Sequence, residues 1–178
     1  QSYSQNKKVL NCFCYSGAFS VYALKGGAKH VISVDSSRQA IDWTEENMRI
    51  NAIDSSKHSE VVADVKRFIA NSDEKFDLII LDPPAFAKHH HITNNALKAY
   101  AFINARAMEK LNPGGILFTF SCSQAISREM FQSAIQSAAI ETGKNMKILH
   151  RLSQGADHPV GIFHPEGDYL KGLVLQIA

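Results

Sequence analysis

The sequence predicts an α/β fold in which a doubly wound, mostly parallel sheet of seven strands is covered by helices on both faces. Short apolar runs alternate with helical segments over short connections, as is typical of parallel strands joined by helical crossovers. The run at residues 78–81 is continuously apolar, which is expected of a central strand buried on both faces. Three successive strands lead into a carboxylate, Asp35, Asp64 and Asp82, at the edge where open sheets of this kind bind ligands.

The first half of the chain is predicted as four strands that alternate with three helices. Gly26 and Gly27 end the first helix, and Ser36 or Ser37 provides the N-cap of the second. In chain order the predicted elements are residues 9–14, 18–25, 31–35, 37–51, 60–63, 65–70 and 76–82.

The second half begins where Pro83 and Pro84 end the fourth strand, because neither proline can donate to a sheet ladder. A long helix at residues 94–111 is predicted to stop at the Asn-Pro-Gly-Gly sequence of residues 112–115. The remaining predicted elements are a strand at residues 116–120, a helix at 124–142, a strand at 146–150, a loop at 153–167 and a last strand at 169–177.

The composition is that of an ordinary globular domain, with 178 residues, 45% of them hydrophobic, and a formal net charge of +2. A dedicated nucleic-acid binder usually carries a stronger basic excess. No apolar run reaches the ~18 residues of a membrane span, and the polar N-terminus lacks the core of a signal peptide. The three cysteines have no disulfide spacing, so we expect a reduced, cytoplasmic setting. We expect residues 1–178 to form one domain, with an N-terminal part outside this sequence.

The carboxylates at the strand ends predict an adenosine site. Asp35 would contact the ribose hydroxyls, Asp64 would lie near the adenine amino group, and Gly17 would allow close approach of the backbone. A dinucleotide site requires a Gly-x-Gly-x-x-Gly turn, whereas residues 14–19 contain a single glycine. This difference favours S-adenosylmethionine over a nicotinamide or flavin dinucleotide. The structural alternative is a domain of this fold that binds no such ligand, in which the carboxylates at the strand ends have no functional role.

Cys122 is the candidate nucleophile. A lone cysteine is more often a small buried hydrophobe, as we expect for Cys12. If the fifth strand neighbours the fourth, however, the strand spacing of about 5 Å brings Cys122 and Asp82 to one pocket. The N-terminus of the helix predicted from Gln124 is also expected to favour the thiolate.

The three histidines at residues 89–91 are not expected to bind a metal. Adjacent residues of a loop rarely converge on one ion, and no cysteine or carboxylate lies at ligand spacing from them. We therefore interpret them as part of a partly cationic loop beside the pocket.

Several motifs resemble one family, and together they span nearly the whole chain. They are VLNCFCYSG at residues 9–17, DPPAF at 82–86, NPGG at 112–115, FSCS at 120–123, ADHP at 156–159 and PEGDYLKG at 165–172. These motifs resemble those of bacterial large-subunit ribosomal RNA cytosine-5 methyltransferases that carry an N-terminal PUA domain. The Asp-Pro-Pro motif alone is shared by many methyltransferases, whereas the Ser-Cys-Ser and Tyr-Leu-Lys-Gly motifs are more specific.

The resemblance implies a Rossmann-like class I methyltransferase whose substrate is large-subunit ribosomal RNA. Cys122 would attack C6 of a cytosine that has left its stack, and Asp82 would bind the cytosine edge and protonate N3. The implied cofactor-binding residues are Asn11, Phe13, Tyr15, Ser16, Gly17, Asp35, Ser36, Asp64, Val65, Asp82 and Pro83.

Two features depart from the family pattern. Many such enzymes have a second cysteine after the proline of the Asp-Pro motif, but Ala85 stands in this region, so the base that removes the C5 proton is unassigned. The N-terminal RNA-binding region is not part of the sequence. The alternatives left open are methyl transfer to guanine or an exocyclic amine, a noncatalytic module that binds the cofactor or RNA, and a nicotinamide-dependent oxidoreductase. The sequence predicts no oligomeric state.

Overall fold

The fold is built on one seven-stranded sheet, described here from a computed structural model that covers residues 1–86 and 93–178. The strands are β1 (Lys8–Cys12), β2 (His30–Asp35), β3 (His58–Val62), β4 (Phe76–Leu81), β5 (Leu111–Ser121), β6 (Met146–Leu152) and β7 (Lys171–Ile177). The helices are α1 (Ala18–Lys25), α2 (Arg38–Ile50), α3 (Val65–Asn71), α4 (Thr93–Lys110) and α5 (Arg128–Thr142).

The strand order is β3-β2-β1-β4-β5-β7-β6, which confirms the predicted doubly wound sheet. Strands β1 to β5 pair in parallel, and β7 runs antiparallel between β5 and β6. The chain order reverses at β1, because β2 lies on one side of it and β4 on the other. A crevice opens at such a switch point beyond the carboxyl ends of the strands. The candidate residues that follow β1, β2, β4 and β5 therefore share one edge.

The core lies on both faces of the sheet. Helices α1 and α2 contact each other near β1 and β2, while α3, α4 and α5 pack in series on the opposite face. The central strand β4 is buried on both faces, as its apolar run predicts. The largest fully buried side chains are Tyr100, Phe76 and Phe131, and each buried aromatic of this kind stabilises the fold by roughly 1.5–3 kcal/mol.

Two elements, β1 and α5, have boundaries that differ from the predicted ones, each for a local reason. β1 ends at Cys12, two residues earlier than predicted, because Phe13 and Tyr15 adopt left-handed backbone at φ +58° and +47°. A strand cannot continue through such residues. Helix α5 begins at Arg128 rather than at Gln124, since the Ser127 hydroxyl caps it by accepting a bond of 3.2 Å from the Met130 amide.

The Asn-Pro-Gly-Gly sequence does not separate α4 from β5 as predicted. Leu111 already pairs with Phe76, so residues 112–115 lie inside the first part of β5. The register shifts before Leu78 pairs with Ile116, and Gly114 at φ +71° accommodates this irregularity. The β5 strand therefore has an irregular first part and a regular buried part that leads towards Cys122.

Candidate active site

The turn after β1 forms the floor of the crevice. The Gly17 amide donates to the Cys14 carbonyl at 2.7 Å, and Gly17, at φ +77°, is the residue from which α1 begins. A Cβ at Gly17 would lie 2.6 Å from Thr44 Cγ2, so only glycine fits between this turn and α2. Phe13 and Tyr15 are also left-handed, which costs roughly 1–2 kcal/mol per non-glycine residue and is frequent at ligand sites. The turn keeps a strained shape that brings its backbone close to the crevice.

Asp35, at the end of β2, is connected to this turn. Its Oδ2 accepts a bond of 3.1 Å from the Tyr15 amide, and its Oδ1 accepts one of 2.9 Å from the Ser37 amide. Each carboxylate oxygen keeps a further lone pair for a ligand hydroxyl. Ser36 is exposed beside it, whereas Ser37 caps α2. The free acceptors at this corner suit a ligand that carries neighbouring hydroxyl groups, as a ribose does.

Asp64 lies at the end of the neighbouring strand and caps α3. Its Oδ1 accepts a bond of 2.9 Å from the Arg67 amide, while the residue remains exposed. Val65 has its side chain in the core, so only its backbone is available to a ligand. Asp64 therefore combines a structural role with one free carboxylate oxygen at the predicted adenine side.

Asn11 lies beneath the turn rather than in the crevice. Its Nδ2 donates to Ser20 Oγ at 2.9 Å, and a buried chain of hydrogen bonds continues through Ser33 to His58 and Glu60. Within the described residues the Asn11 Oδ1 has no partner, although it is buried. Asn11 thus supports the junction of β1 and α1 from below.

The parallel pairing of β4 with β5 brings Asp82 and Cys122 to one place. Leu81 is the last residue of β4 and pairs with Thr119, so β5 extends beyond β4 and carries Cys122 over the Asp-Pro-Pro segment. The Cys122 sulfur lies 3.9 Å from the Pro83 carbonyl oxygen. Pro83 is buried, while Asp82 and Cys122 are partly exposed at the crevice. The predicted pairing of β4 with β5 is confirmed, and it places the thiol next to the segment that begins with Asp82.

Burial governs the electrostatics of this pair. Burial raises the pKa of Asp82 above its usual range. It also raises the pKa of Cys122, and the nearby charge of Asp82 raises that pKa further, while Lys171 acts in the opposite direction. The expected effect of a helix N-terminus on the thiol was wrong, because α5 begins at Arg128 and Cys122 lies well before its first turn.

Two residues that sequence reasoning missed support the segment around Cys122. The hydroxyl of Tyr100, a buried residue of α4, accepts a bond of 2.9 Å from Ser121 Oγ and lies 2.9 Å from Ser123 Oγ. Lys171, at the start of β7, is 5% exposed and donates to the Ser123 carbonyl at 2.6 Å. Lys171 is part of the Tyr-Leu-Lys-Gly motif, and a lysine at the start of a mostly apolar strand is a sequence signal that could have pointed to a role for it.

No group of three or more His, Cys, Asp or Glu side chains is arranged to hold a metal ion in residues 1–86 and 93–178. The histidines at 89–91 lie outside the described residues. Over the same described ranges, no helix combines the length and the apolar character that a membrane crossing requires.

Comparison with known families identifies one match over most of the chain. The family described as S-adenosylmethionine-dependent methyltransferase matches residues 1–165. The chain is 46% identical over 177 residues to a protein of Aeromonas hydrophila named ribosomal RNA large subunit methyltransferase I, and 45% identical over 177 residues to the protein of the same name from Tolumonas auensis. Each alignment covers 98% of this chain but 45% of the relative, so the chain spans about half the length of these proteins.

A solved structure shares the fold. It is a protein of Streptococcus mutans assigned as a SAM-dependent methyltransferase, and it aligns with a TM-score of 0.84 at 24% identity. The alignment covers 98% of this chain and 45% of that one. The solved structure therefore shares the fold over nearly the whole of this chain.

Proposed function

The chain belongs to the family of S-adenosylmethionine-dependent methyltransferases, and we propose that it methylates C5 of a cytosine in large-subunit ribosomal RNA through a covalent bond to Cys122. The observation that carries this proposal is the position of the Cys122 sulfur, 3.9 Å from the Pro83 carbonyl and beside Asp82. The relatives named as ribosomal RNA large subunit methyltransferases support the choice of RNA.

The cofactor supplies an electrophilic methyl group on a sulfonium. We assign its binding to the crevice at the switch point, with Asp35 at the ribose, Asp64 at the adenine and Gly17 in close backbone approach. The other residues assigned to this site are Asn11 from below, Phe13, Tyr15 and Ser16 in the turn, Ser36, Val65, and Asp82 with Pro83 near the methyl group.

In the proposed mechanism, Cys122 acts after it has lost its proton. The thiolate adds to C6 of cytosine, and the electrons of the C5–C6 bond move towards C5, which becomes nucleophilic. Asp82 hydrogen-bonds the cytosine edge and protonates N3 as negative charge develops there. A carboxyl whose pKa is raised by burial holds such a proton more readily than an exposed one.

Product release requires further proton transfers. Once C5 carries the methyl group, a base removes the C5 proton, the electron pair left behind expels the Cys122 sulfur from C6, and N3 returns its proton to Asp82. No described residue is assigned to the removal of the C5 proton. The target base must leave its stack to reach the sulfur, which costs a few kcal/mol and is least costly for an unpaired base.

The proposal takes residues 1–178 as the catalytic domain. With a net charge of only +2, this domain attracts RNA weakly by electrostatics. This weak attraction supports the proposal that a PUA domain recognises the RNA in longer proteins of this kind. A ribosomal RNA substrate also implies action in the cytoplasm.

The test is product analysis of large-subunit ribosomal RNA that lacks the modification. Native protein, a Cys122→Ala variant and a Cys12→Ala control are each incubated with the RNA and the cofactor, and the digested nucleosides are identified by mass spectrometry. We expect 5-methylcytidine from the native protein and from the control, and none from Cys122→Ala. Methylated guanosine, or 5-methylcytidine made by Cys122→Ala at the native rate, would contradict the proposal.

A further inference from the structure

Lys171 is a charged residue that is buried within the sheet. It begins β7, it is 5% exposed, and the antiparallel register places it opposite Ser121, the residue before Cys122. Its Nζ donates to the carbonyl oxygen of Ser123, the residue after Cys122, at 2.6 Å. The ammonium is therefore held beside the three-residue segment whose central member is the candidate nucleophile.

This buried ammonium has no carboxylate of its own among the described residues. The nearest candidate, Asp168, lies 2.6 Å from a guanidinium nitrogen of Arg128 at the start of α5. A buried cation without a counter-charge is costly, and burial lowers the pKa of Lys171 accordingly. A negative charge that develops nearby during the reaction would offset this cost.

We propose that Lys171 is the positioning residue that activates Cys122: its ammonium stabilises the Cys122 thiolate, and its bond to Ser123 holds the sulfur in place beside Asp82. The proposal rests on the proposed function, in which Cys122 is the nucleophile. It assigns Lys171 no contact with RNA or cofactor.

The charges around the thiol explain why such a residue is needed. From β4, the carboxylate of Asp82 opposes ionisation of Cys122, and burial opposes it more strongly. From β7, Lys171 favours ionisation, while Tyr100 of α4 contributes only a neutral hydroxyl network below the segment. Arg128 and Asp168 act on Lys171 itself, with opposite signs. Among residues 1–86 and 93–178, Lys171 is thus the cation that favours ionisation of the thiol from the elements packed around it.

The test measures the ionisation of Cys122 directly, without RNA. Alkylation by iodoacetamide is followed by mass spectrometry of the Cys122 peptide over a range of pH in the 178-residue chain. Cys12 and Cys14 contribute little reactivity, because burial raises the pKa of Cys14 to about 11 and that of Cys12 well above its usual range.

Three variants separate charge from hydrogen bonding. Lys171→Gln keeps a donor for the Ser123 carbonyl but removes the charge, and Lys171→Arg keeps the charge. Lys147→Met removes an exposed lysine of the neighbouring strand β6, which pairs with Gln176 near the far end of β7. We expect Lys171→Gln to slow alkylation of Cys122 near neutral pH about tenfold, equivalent to a rise of one unit in the thiol pKa. Lys171→Arg and Lys147→Met should stay near the native rate.

An unchanged alkylation profile in folded Lys171→Gln would overturn the proposal, since a purely structural lysine alters melting temperature and not thiol ionisation. Folding of each variant is checked by circular dichroism. If Lys171→Gln does not fold, the native chain gives the same test: burial lowers the pKa of Lys171, and selective amine labelling of Lys171 should depend on whether Cys122 is already alkylated. Labelling that is independent of Cys122 alkylation would also overturn it. Neither readout requires methyl transfer. The proposal for Lys171 can therefore fail while the Cys122→Ala methylation test succeeds, and the methylation test can fail while the proposal for Lys171 holds.

Discussion

The sulfur of Cys122 lies 3.9 Å from the carbonyl oxygen of Pro83, across the junction of two parallel strands. β5 extends beyond the end of β4 in their parallel pairing, so this contact follows from the strand order and from the lengths of the two strands. It places a thiol over the backbone of an Asp-Pro-Pro segment that is stiff because proline fixes its own φ. The thiol therefore lies beside the segment that begins with Asp82, at the carboxyl edge of the parallel strands.

Replacing Asp82 by asparagine should lower methylation about a hundredfold or more, because the proton that N3 requires is no longer available. The amide keeps the size of the side chain and removes the acid. Initial rates on ribosomal RNA at saturating cofactor measure the loss. Asp73→Asn, an exposed change before the same strand, is the control and should keep the native rate. Equal rates for the two variants would show that Asp82 has no chemical role.

Alkylation of Cys122 in the native chain should accelerate with pH across the neutral range. Burial raises the pKa of Cys122, and the fraction of thiolate grows about tenfold per unit of pH below that pKa. The rate of alkylation by iodoacetamide, followed on the Cys122 peptide by mass spectrometry, is therefore expected to be still rising at pH 8. A rate that is flat between pH 6 and pH 8 would contradict this prediction, because it would mean that the thiol is already ionised at pH 6.

Gly17→Ala should abolish tight cofactor binding and destabilise the fold. The added Cβ would lie 2.6 Å from Thr44 Cγ2, and left-handed backbone at φ +77° costs a further 1–2 kcal/mol or so. Gly143→Ala is the matched control, because Gly143 is also left-handed at φ +62° but has no atom within 4 Å of the added Cβ. Thermal unfolding should show a larger loss for Gly17→Ala than for Gly143→Ala. Calorimetric titration with S-adenosylhomocysteine should detect weaker binding only for the first.

Asp35→Asn should weaken the binding of S-adenosylhomocysteine by about ten- to a hundredfold, which is the usual cost of losing a hydrogen bond to a charged group. The substitution also weakens the link to the Tyr15 amide, which orders the turn. Asp42→Asn on the exposed surface of α2 is the control. NADH serves as the second ligand in the same titrations, and saturable binding of NADH by the native chain would contradict the assignment of the site.

Prediction from the sequence was most successful where a short local pattern determines the structure. The apolar run of β4 and the carboxylate that follows it predict a buried strand with Asp82 at its end, and the fold contains both. The neighbouring position of Cys122 was conditional on the pairing of β5 with β4, which the fold confirms. These features depend on one strand or on one pair of strands.

The features that were missed depend on contacts between distant segments or on unusual backbone. Phe13 and Tyr15 are left-handed although neither is glycine, because the Asp35 carboxylate and the packing against α2 hold the turn. Lys171 reaches Ser123 from a strand about fifty residues later in the chain, and no spacing rule connects the two. The side chain of Asn11 lies in a buried hydrogen-bond chain that its place in β1 does not predict.

A covalent bond between Cys122 and C6 of cytosine can be trapped with large-subunit ribosomal RNA in which cytosine is replaced by 5-fluorocytosine. Fluorine at C5 cannot be removed as a proton is, so a nucleophile attached to C6 remains bound after methyl transfer. The account predicts a complex of protein and RNA that survives denaturation, requires the cofactor and maps by mass spectrometry to Cys122. A Cys122→Ala variant that still forms this complex, or native protein that methylates normal RNA yet never traps the fluorinated one, would contradict the account.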